Sequence, residues 1–103
     1  MNSFIGGRTS DIARICAKYR VRRLCLFGSA RGPSFVPGRS DVDFLVEFES
    51  MPPAEHADCY FGLLEELERL LGTGVDVVEA TAVRNPYFRR VLERDQELIY
   101  AAA

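Results

Sequence analysis

The sequence predicts an α/β (α+β) fold, in which a small β-sheet packs against helices. Short apolar or alternating segments suited to strands recur along the chain, and amphipathic segments with helical spacing lie between them. A length of 103 residues with 48% hydrophobic content is enough for one hydrophobic core. We therefore expect residues 1–103 to form a single domain, which begins with a flexible leader over residues 1–9.

The first predicted helix follows the glycines at the end of that leader. Ser10 can cap a helix that runs from Asp11 to about Tyr19, with an acid in its first turn. Apolar side chains recur in it at helical spacing, which predicts one stripe that packs on the sheet. These residues are Ile12, Ile15, Cys16 and Tyr19.

Two strands are predicted on either side of a loop. The apolar segment Leu24 to Phe27 is typical of a buried strand, which Gly28-Ser29 ends. In Asp41 to Phe48 successive side chains point to opposite faces. One face is wholly apolar and must be buried, namely Val42, Phe44, Val46 and Phe48. The other face holds Asp41, Asp43, Leu45 and Glu47, so the two aspartates lie side by side and point away from the core.

The second half of the chain continues the alternation. A long amphipathic helix is predicted from about Ala54 to Leu71, and a strand from Gly74 to Glu79. Asp76 lies among the valines of that strand, an unusual place for a charge unless it is paired or functional. Asn85-Pro86 predicts a helix to about Arg94, with Phe88, Val91 and Leu92 inward. Glu97 to Tyr100 is either a final strand or an apolar tail.

Composition and charge exclude several classes of protein. A net charge of −2 argues against a protein that grips duplex nucleic acid through its backbone. No apolar run is long enough to cross a membrane, and the first residues lack the features of a signal peptide, so we expect a cytoplasmic protein. Cys16, Cys25 and Cys59 have no metal-type spacing and are expected to be reduced residues in or near the core.

The two aspartates and the Gly-Ser turn suggest a site with two halves. Neighbouring carboxylates repel unless a cation lies between them, and Mg²⁺ prefers oxygen ligands. The glycine of the turn lets backbone approach a phosphate closely, and N–H groups at the start of a short helix favour anions. The pattern therefore predicts that one half holds metal and the other half holds phosphate.

Gly28-Ser29 followed by Asp41-Val42-Asp43 resembles the signature of the DNA polymerase β-like nucleotidyltransferases. It is most similar to the minimal nucleotidyltransferases of prokaryotes, many of which are antitoxins paired with HEPN-domain toxins. The resemblance covers roughly Asp11 to Tyr100. It implies the nucleotidyltransferase fold, a small mixed β-sheet with helices packed mainly on one face.

The resemblance also implies roles for individual residues. Asp41, Asp43 and, as the third acid, Asp76 would bind one or two Mg²⁺ ions and carry catalysis. Asp76 would orient the acceptor hydroxyl or accept its proton. The residues that would bind the nucleotide are Gly28, Ser29, Arg31 and Ser40.

The activity implied is transfer of AMP from ATP to a hydroxyl, expected to be a tyrosine, of a HEPN-type toxin. The chain would then act as an antitoxin, with the partner supplying the surface that binds the acceptor. An alternative is a binding module with a vestigial site, which neutralises a toxin by occlusion. A third interpretation is a small domain whose acids only cap loops. Two readings also stay open for Arg89, Arg90 and Arg94: a solvated basic face, or a contact with nucleotide phosphate or an acidic partner.

Overall fold

The computed structural model describes residues 3–28, 36 and 41–102. It contains a four-stranded sheet in the order β3-β2-β1-β4. Strand β1 pairs antiparallel with both β2 and β4, and β2 pairs parallel with β3, so the predicted mixed sheet is confirmed. The strands are β1 (Val21–Phe27), β2 (Val42–Phe48), β3 (Val75–Glu79) and β4 (Glu97–Ala101).

The helices are α1 (Ser3–Gly6), α2 (Thr9–Lys18), α3 (Pro53–Leu71) and α4 (Pro86–Arg94), with a 3₁₀ turn at Ala80–Ala82. Side chains from α2 and α3 share one core cluster with the inward face of the sheet. Helix α4 instead borders a cavity together with Arg23 and Leu45, which lie on the outward face of β1 and β2. Helices α2 and α3 therefore cover one face and leave the other more open, in agreement with the prediction.

The two faces of β2 divide as its alternation predicts. Val42, Phe44 and Val46 are buried in the core, whereas the side chains between them are only half-buried. Asp41 lies immediately before the strand and is exposed. The apolar face fixes the strand's orientation, because turning β2 over would expose three core side chains and bury acids.

Two boundaries differ from the sequence prediction. Helix α2 begins at Thr9, and no side chain caps it, so Ser10 lies inside the helix rather than at its cap. Strand β1 begins at Val21 rather than Leu24, because Val21 pairs with Phe48 and the Arg22 carbonyl accepts a hydrogen bond from the Ala102 N–H. Backbone pairing supplied by distant residues extends the strand beyond its apolar segment.

The first residues do not form the predicted loose leader. Ser3–Gly6 forms a helical turn, and Ile5 is 0% exposed in the core cluster. The Arg8 guanidinium donates a 2.8 Å hydrogen bond to the Phe4 carbonyl and lies over the Phe4 ring. Ile5 in the core and Phe4 packed against it hold this segment on the domain, despite the glycines that follow.

The C-terminal segment departs from the prediction in one respect. Glu97–Ala101 is a strand rather than a tail. In α4, however, Phe88 is 48% exposed and does not point inward, while Val91 is half-buried; the side chain of Leu92 lies outside the described part.

The cysteines match their predicted positions. Cys16 and Cys25 are buried, Cys59 is half-buried, and all three are free thiols. Burial raises the pKa of Cys16 to about 12, so its thiolate is scarcely formed at neutral pH. Separately, none of the helices in the described ranges is long and apolar enough to cross a membrane.

Truncation of Ile5 tests the contribution of the N-terminal turn. Ile5→Ala should lower the free energy of unfolding by about 2–4 kcal/mol, because it leaves a cavity among fully buried side chains. Urea denaturation followed by circular dichroism measures the change. The control is Leu98→Ala, at a side chain that is 51% exposed, which should cost well under half as much. Equal losses for the two variants would contradict the packing of α1.

Candidate functional site

Two carboxylates meet on the open face of the sheet. Asp43 of β2 and Asp76 of β3 are register partners in the parallel pairing of these strands. Paired strands lie about 4.8 Å apart, and side chains at paired positions point to the same face. That face is the one opposite α2 and α3. The structure therefore brings together two of the three predicted acids, from segments that are far apart in the sequence.

Asp41 lies at the entrance to the same pair of strands. The Val42 N–H donates a 2.9 Å hydrogen bond to the Gly74 carbonyl, which joins the starts of β2 and β3. A Cβ atom built on Gly74 would overlap the Asp41 carboxylate. Asp41 therefore lies against Gly74, two residues before Asp43.

Gly28 lies directly against Asp43. It follows β1 with a φ of +75°, a conformation that side chains rarely adopt. A Cβ atom built there would overlap the Asp43 carboxylate. Both the backbone angle and the close approach therefore require glycine. Gly28 of the predicted turn therefore lies against Asp43 of the predicted acid pair.

The carboxylates in this cluster repel one another. The pKa of Asp43 is raised, first by burial and then by the neighbouring Asp76 through its charge and a hydrogen bond, with a further contribution from Asp41. No Arg, Lys or His within the described ranges pairs with these acids. Glu66 differs, because it has a cation beside it. Hydrogen bonds from Lys18 and from the Tyr19 hydroxyl lower the pKa of Glu66.

The donors at this site fit a hard divalent cation. Carboxylate oxygens are the ligands that Mg²⁺ prefers, whereas zinc sites usually contain Cys or His. The repulsion between Asp43 and Asp76 would be relieved by a cation between them. Across residues 3–28, 36 and 41–102, however, no three His, Cys, Asp or Glu side chains are already arranged to hold a metal ion. Asp43 and Asp76 form the centre of the candidate site, and Asp41 lies beside them.

The remaining predicted nucleotide-binding residues cannot be placed. Ser29, Arg31 and Ser40 lie outside the described residues. Gly28 is therefore the one member of that set with a described position.

The sequence did not predict the cavity beside the acids. Arg23, Leu45 and Glu47 line its sheet side, and Arg89 and Glu93 of α4 line its outer side. Leu45 lies two residues beyond Asp43 on the same face of β2, so the cavity continues the acid site along the strand. In the sequence, Arg23 directly precedes the buried Leu24, which would place Arg23 on the outward face of β1. The predicted strand begins at Leu24, so it does not include Arg23.

A second feature that the sequence did not predict is the position of His56. It is half-buried, forms a hydrogen bond with Glu79 at the end of β3, and its ring centroid lies 5.2 Å from that of Phe48. This pair lies on the helix-covered side of β3, because Glu79 alternates with Asp76 and Val78 along the strand. We assign it to the packing of α3 on the sheet.

Neutralising Asp43 should stabilise the fold. Because folding raises its pKa, the native state favours the protonated carboxyl, and wild-type stability is lost as pH rises through the folded pKa. Asp43→Asn should therefore raise Tm by about 1–5 °C at pH 7. The gain should shrink as pH falls towards the ordinary carboxyl value of 3.8.

Thermal denaturation at several pH values measures this effect, with Glu68→Gln on the exposed side of α3 as the control. A lower Tm for Asp43→Asn at pH 7 would show that the carboxylate stabilises the fold and is not held against repulsion.

Comparison with known proteins identifies relatives at the level of sequence. Residues 10–99 match the model of the nucleotidyltransferase domain family. Protein adenylyltransferase MntA of Thermococcus cleftensis is 36% identical over 84 residues, which cover 81% of this chain and 77% of that protein. A protein of Methanocaldococcus jannaschii, named as a candidate protein adenylyltransferase, is 39% identical over 84 residues, 81% of this chain and 79% of its own length.

Solved structures share the fold. A candidate minimal nucleotidyltransferase superposes with a TM-score of 0.68 and 33% identity, covering 89% of each chain. A toxin–antitoxin structure with AMP-PNP gives a TM-score of 0.66 at 16% identity, covering 91% of this chain and 73% of that one. A tri-AMPylated Shewanella oneidensis HEPN toxin in complex with an MNT antitoxin gives 0.61 at 16% identity, covering 94% and 72%. These matches confirm the predicted fold.

Proposed function

This chain belongs to the nucleotidyltransferase domain family, and from that premise we propose that it transfers AMP from ATP to a hydroxyl of a partner protein. The proposed acceptor is a tyrosine of a HEPN-type toxin, which the transfer silences, so that the chain acts as an antitoxin in the cytoplasm. The observation that carries the proposal is the contact of Gly28 with Asp43, beside Asp76. The relative named protein adenylyltransferase MntA supports the choice of AMP and of a protein acceptor.

The reaction exchanges one phosphorus–oxygen bond for another. The acceptor oxygen forms a bond to the α-phosphorus of ATP, the bond from that phosphorus to the β-phosphate oxygen breaks, and pyrophosphate leaves. We assign the hydroxyl proton to Asp76, which is exposed on the edge strand β3 and can be reached by a partner.

Asp43 and Asp76, with Asp41 beside them, would hold one or two Mg²⁺ ions. When bound, the metal supplies charge neutralisation for the triphosphate and for the attacking and leaving oxygens. Gly28 allows the phosphates to lie close to backbone N–H groups. Ser29, Arg31 and Ser40 belong to the same proposal as donors to the nucleotide.

Removal of either central carboxylate should abolish transfer without unfolding the chain. Asp43→Asn and Asp76→Asn should each lower the rate at least about 100-fold, because a metal ligand is lost. The assay uses α-labelled ATP, Mg²⁺ and a purified HEPN-domain toxin as the acceptor. Glu68→Gln is the matched control. Full transfer by Asp43→Asn would exclude the proposed site.

Gly28→Ala separates the close approach at Gly28 from backbone strain. The added methyl group overlaps the Asp43 carboxylate, so we expect transfer to fall at least about tenfold. Gly72→Ala is the control, because Gly72 has a similar φ of +66° with no atom within 4 Å of a built Cβ. Both variants should lose about 1 kcal/mol of stability from the positive φ. Equal transfer by the two variants would contradict the role of Gly28.

A second candidate function is neutralisation of the partner by binding alone. It is favoured by the position of Asp41, which lies against Gly74, so that the three carboxylates are not arranged as a ready metal site. On this alternative, Asp43→Asn would protect cells from the partner toxin as well as wild type does. AMP transfer predicts that this variant loses protection while it still binds the partner.

A further inference from the structure

Helix α4 turns apolar side chains towards solvent. Tyr87, Phe88 and Val91 fall within an arc of about 100° on this helix. Tyr87 is 79% exposed and Phe88 is 48% exposed. Large aromatic side chains stabilise a protein or a complex most when they are buried. Two adjacent exposed aromatic side chains on one helical face therefore indicate a surface that binds a partner.

Helix α4 has a capped start and a polar side that faces the sheet. The Asn85 side chain accepts hydrogen bonds from the N–H groups of Tyr87 at 2.9 Å and Phe88 at 3.3 Å, and Pro86 occupies the first turn. On the other side of the helix, Arg89 and Glu93 line the cavity on the open face of the sheet. The polar side therefore faces the sheet and the aromatic side faces outward.

The surroundings of this aromatic face are basic. Arg84 and Arg90 are exposed and form no ion pair within the described ranges. Within the described ranges, Arg89 pairs with Glu93 and Arg94 pairs with Asp95. Arg89 lies on the side of the helix that faces the sheet, so Arg84, Arg90 and Arg94 are the arginines near the aromatic face, in a chain whose net charge is −2. Two copies that met through α4 would bring these arginines together, so charge favours an acidic partner over a second copy.

We propose that the aromatic face of α4 (Tyr87, Phe88 and Val91) docks into an apolar groove, rimmed by Asp and Glu, on the acceptor protein. The identity of that partner rests on the function proposed above. The cavity that α4 borders also contains Leu45, two residues from Asp43 in β2. A partner docked on α4 would therefore lie on the same side of the sheet as the acids.

The chemistry of this face favours a protein with an apolar groove over RNA as the binding partner. Val91 continues the aromatic face with an aliphatic side chain, which adds apolar area but cannot stack on a base. One short helix with these few arginines also provides little of the extended basic surface that binding to phosphate backbones requires.

The test compares Tyr87→Ser/Phe88→Ser with Phe61→Ser, since Phe61 is a 64% exposed aromatic side chain on α3. Calorimetry measures the Kd for a purified HEPN-domain toxin, the acceptor used in the transfer assay. The α4 variant should bind at least about tenfold more weakly, as expected for buried aromatic anchors. Phe61→Ser should stay within about twofold of wild type, and both variants should keep the wild-type Tm and the wild-type affinity for Mg²⁺ with AMP-PNP.

A second variant tests the charge component. Arg84→Glu/Arg90→Glu should also weaken binding, and the deficit should diminish in about 0.5 M salt because exposed charges are screened. The Kd of Asp43→Asn for the partner distinguishes the AMP-transfer proposal from the docking proposal. If this variant binds with wild-type affinity and wild type transfers no AMP, the transfer proposal fails and the docking surface stands.

Four results would overturn the docking surface. These are wild-type affinity in the α4 double variant, absence of binding by wild type, a dimer of wild type that the α4 substitutions dissociate, and displacement of the partner by single-stranded RNA.

Discussion

The parallel pairing of β2 with β3 is the constraint on which the rest of the structure depends. It holds the carboxylates of Asp43 and Asp76 side by side, although their charges repel and raise the pKa of Asp43. A flexible loop would relieve this repulsion by moving apart. The strands cannot, because their opposite faces carry Val42, Phe44, Val75 and Val77, which are packed beneath α2 and α3. Burial on one face thus maintains an unfavourable arrangement of charge on the other.

Other elements follow from the same pairing. Parallel strands require a long crossover, which α3 provides with 19 residues and a buried side formed by Leu63, Leu67 and Leu71. The chain then turns at Gly72 and returns past Gly74, where the missing side chain leaves space for Asp41. Gly28 plays the equivalent part at the end of β1, against Asp43. At Gly28 and Gly74, the carboxylate of an acid lies close against the backbone of a glycine.

Local pattern predicted the faces of the strands on which Asp43 and Asp76 lie. The alternation in residues 41–48 assigned the faces of β2, and the isolated acid among valines identified Asp76, because both signals arise from a period of two within a single strand. The family resemblance added the expectation that these acids belong together. The pairing of residues 43 and 76 is a contact between two distant strands, and the alternation within one strand cannot predict which other strand it pairs with.

The remaining features depend on distant contacts. Ile5 is held by a core built from other parts of the chain, and β1 begins early because Phe48 and Ala102 provide backbone partners. The amphipathic pattern of α4 predicted burial of Phe88, but this helix turns its polar side to the sheet. An amphipathic pattern predicts that a helix has an apolar face and a polar face. It does not predict whether the rest of the same chain or a partner protein buries the apolar face.

The most direct test of the acid pair is the position of a bound metal. Crystals grown with Mn²⁺ and AMP-PNP can be measured at a wavelength that gives anomalous scattering from manganese. The predicted result is a peak about 2.1 Å from carboxylate oxygens of both Asp43 and Asp76, a distance typical of Mg²⁺ sites. A metal bound without either residue, or a nucleotide bound away from Gly28, would contradict the proposal that the β2–β3 pairing builds a site for metal-assisted nucleotidyl transfer.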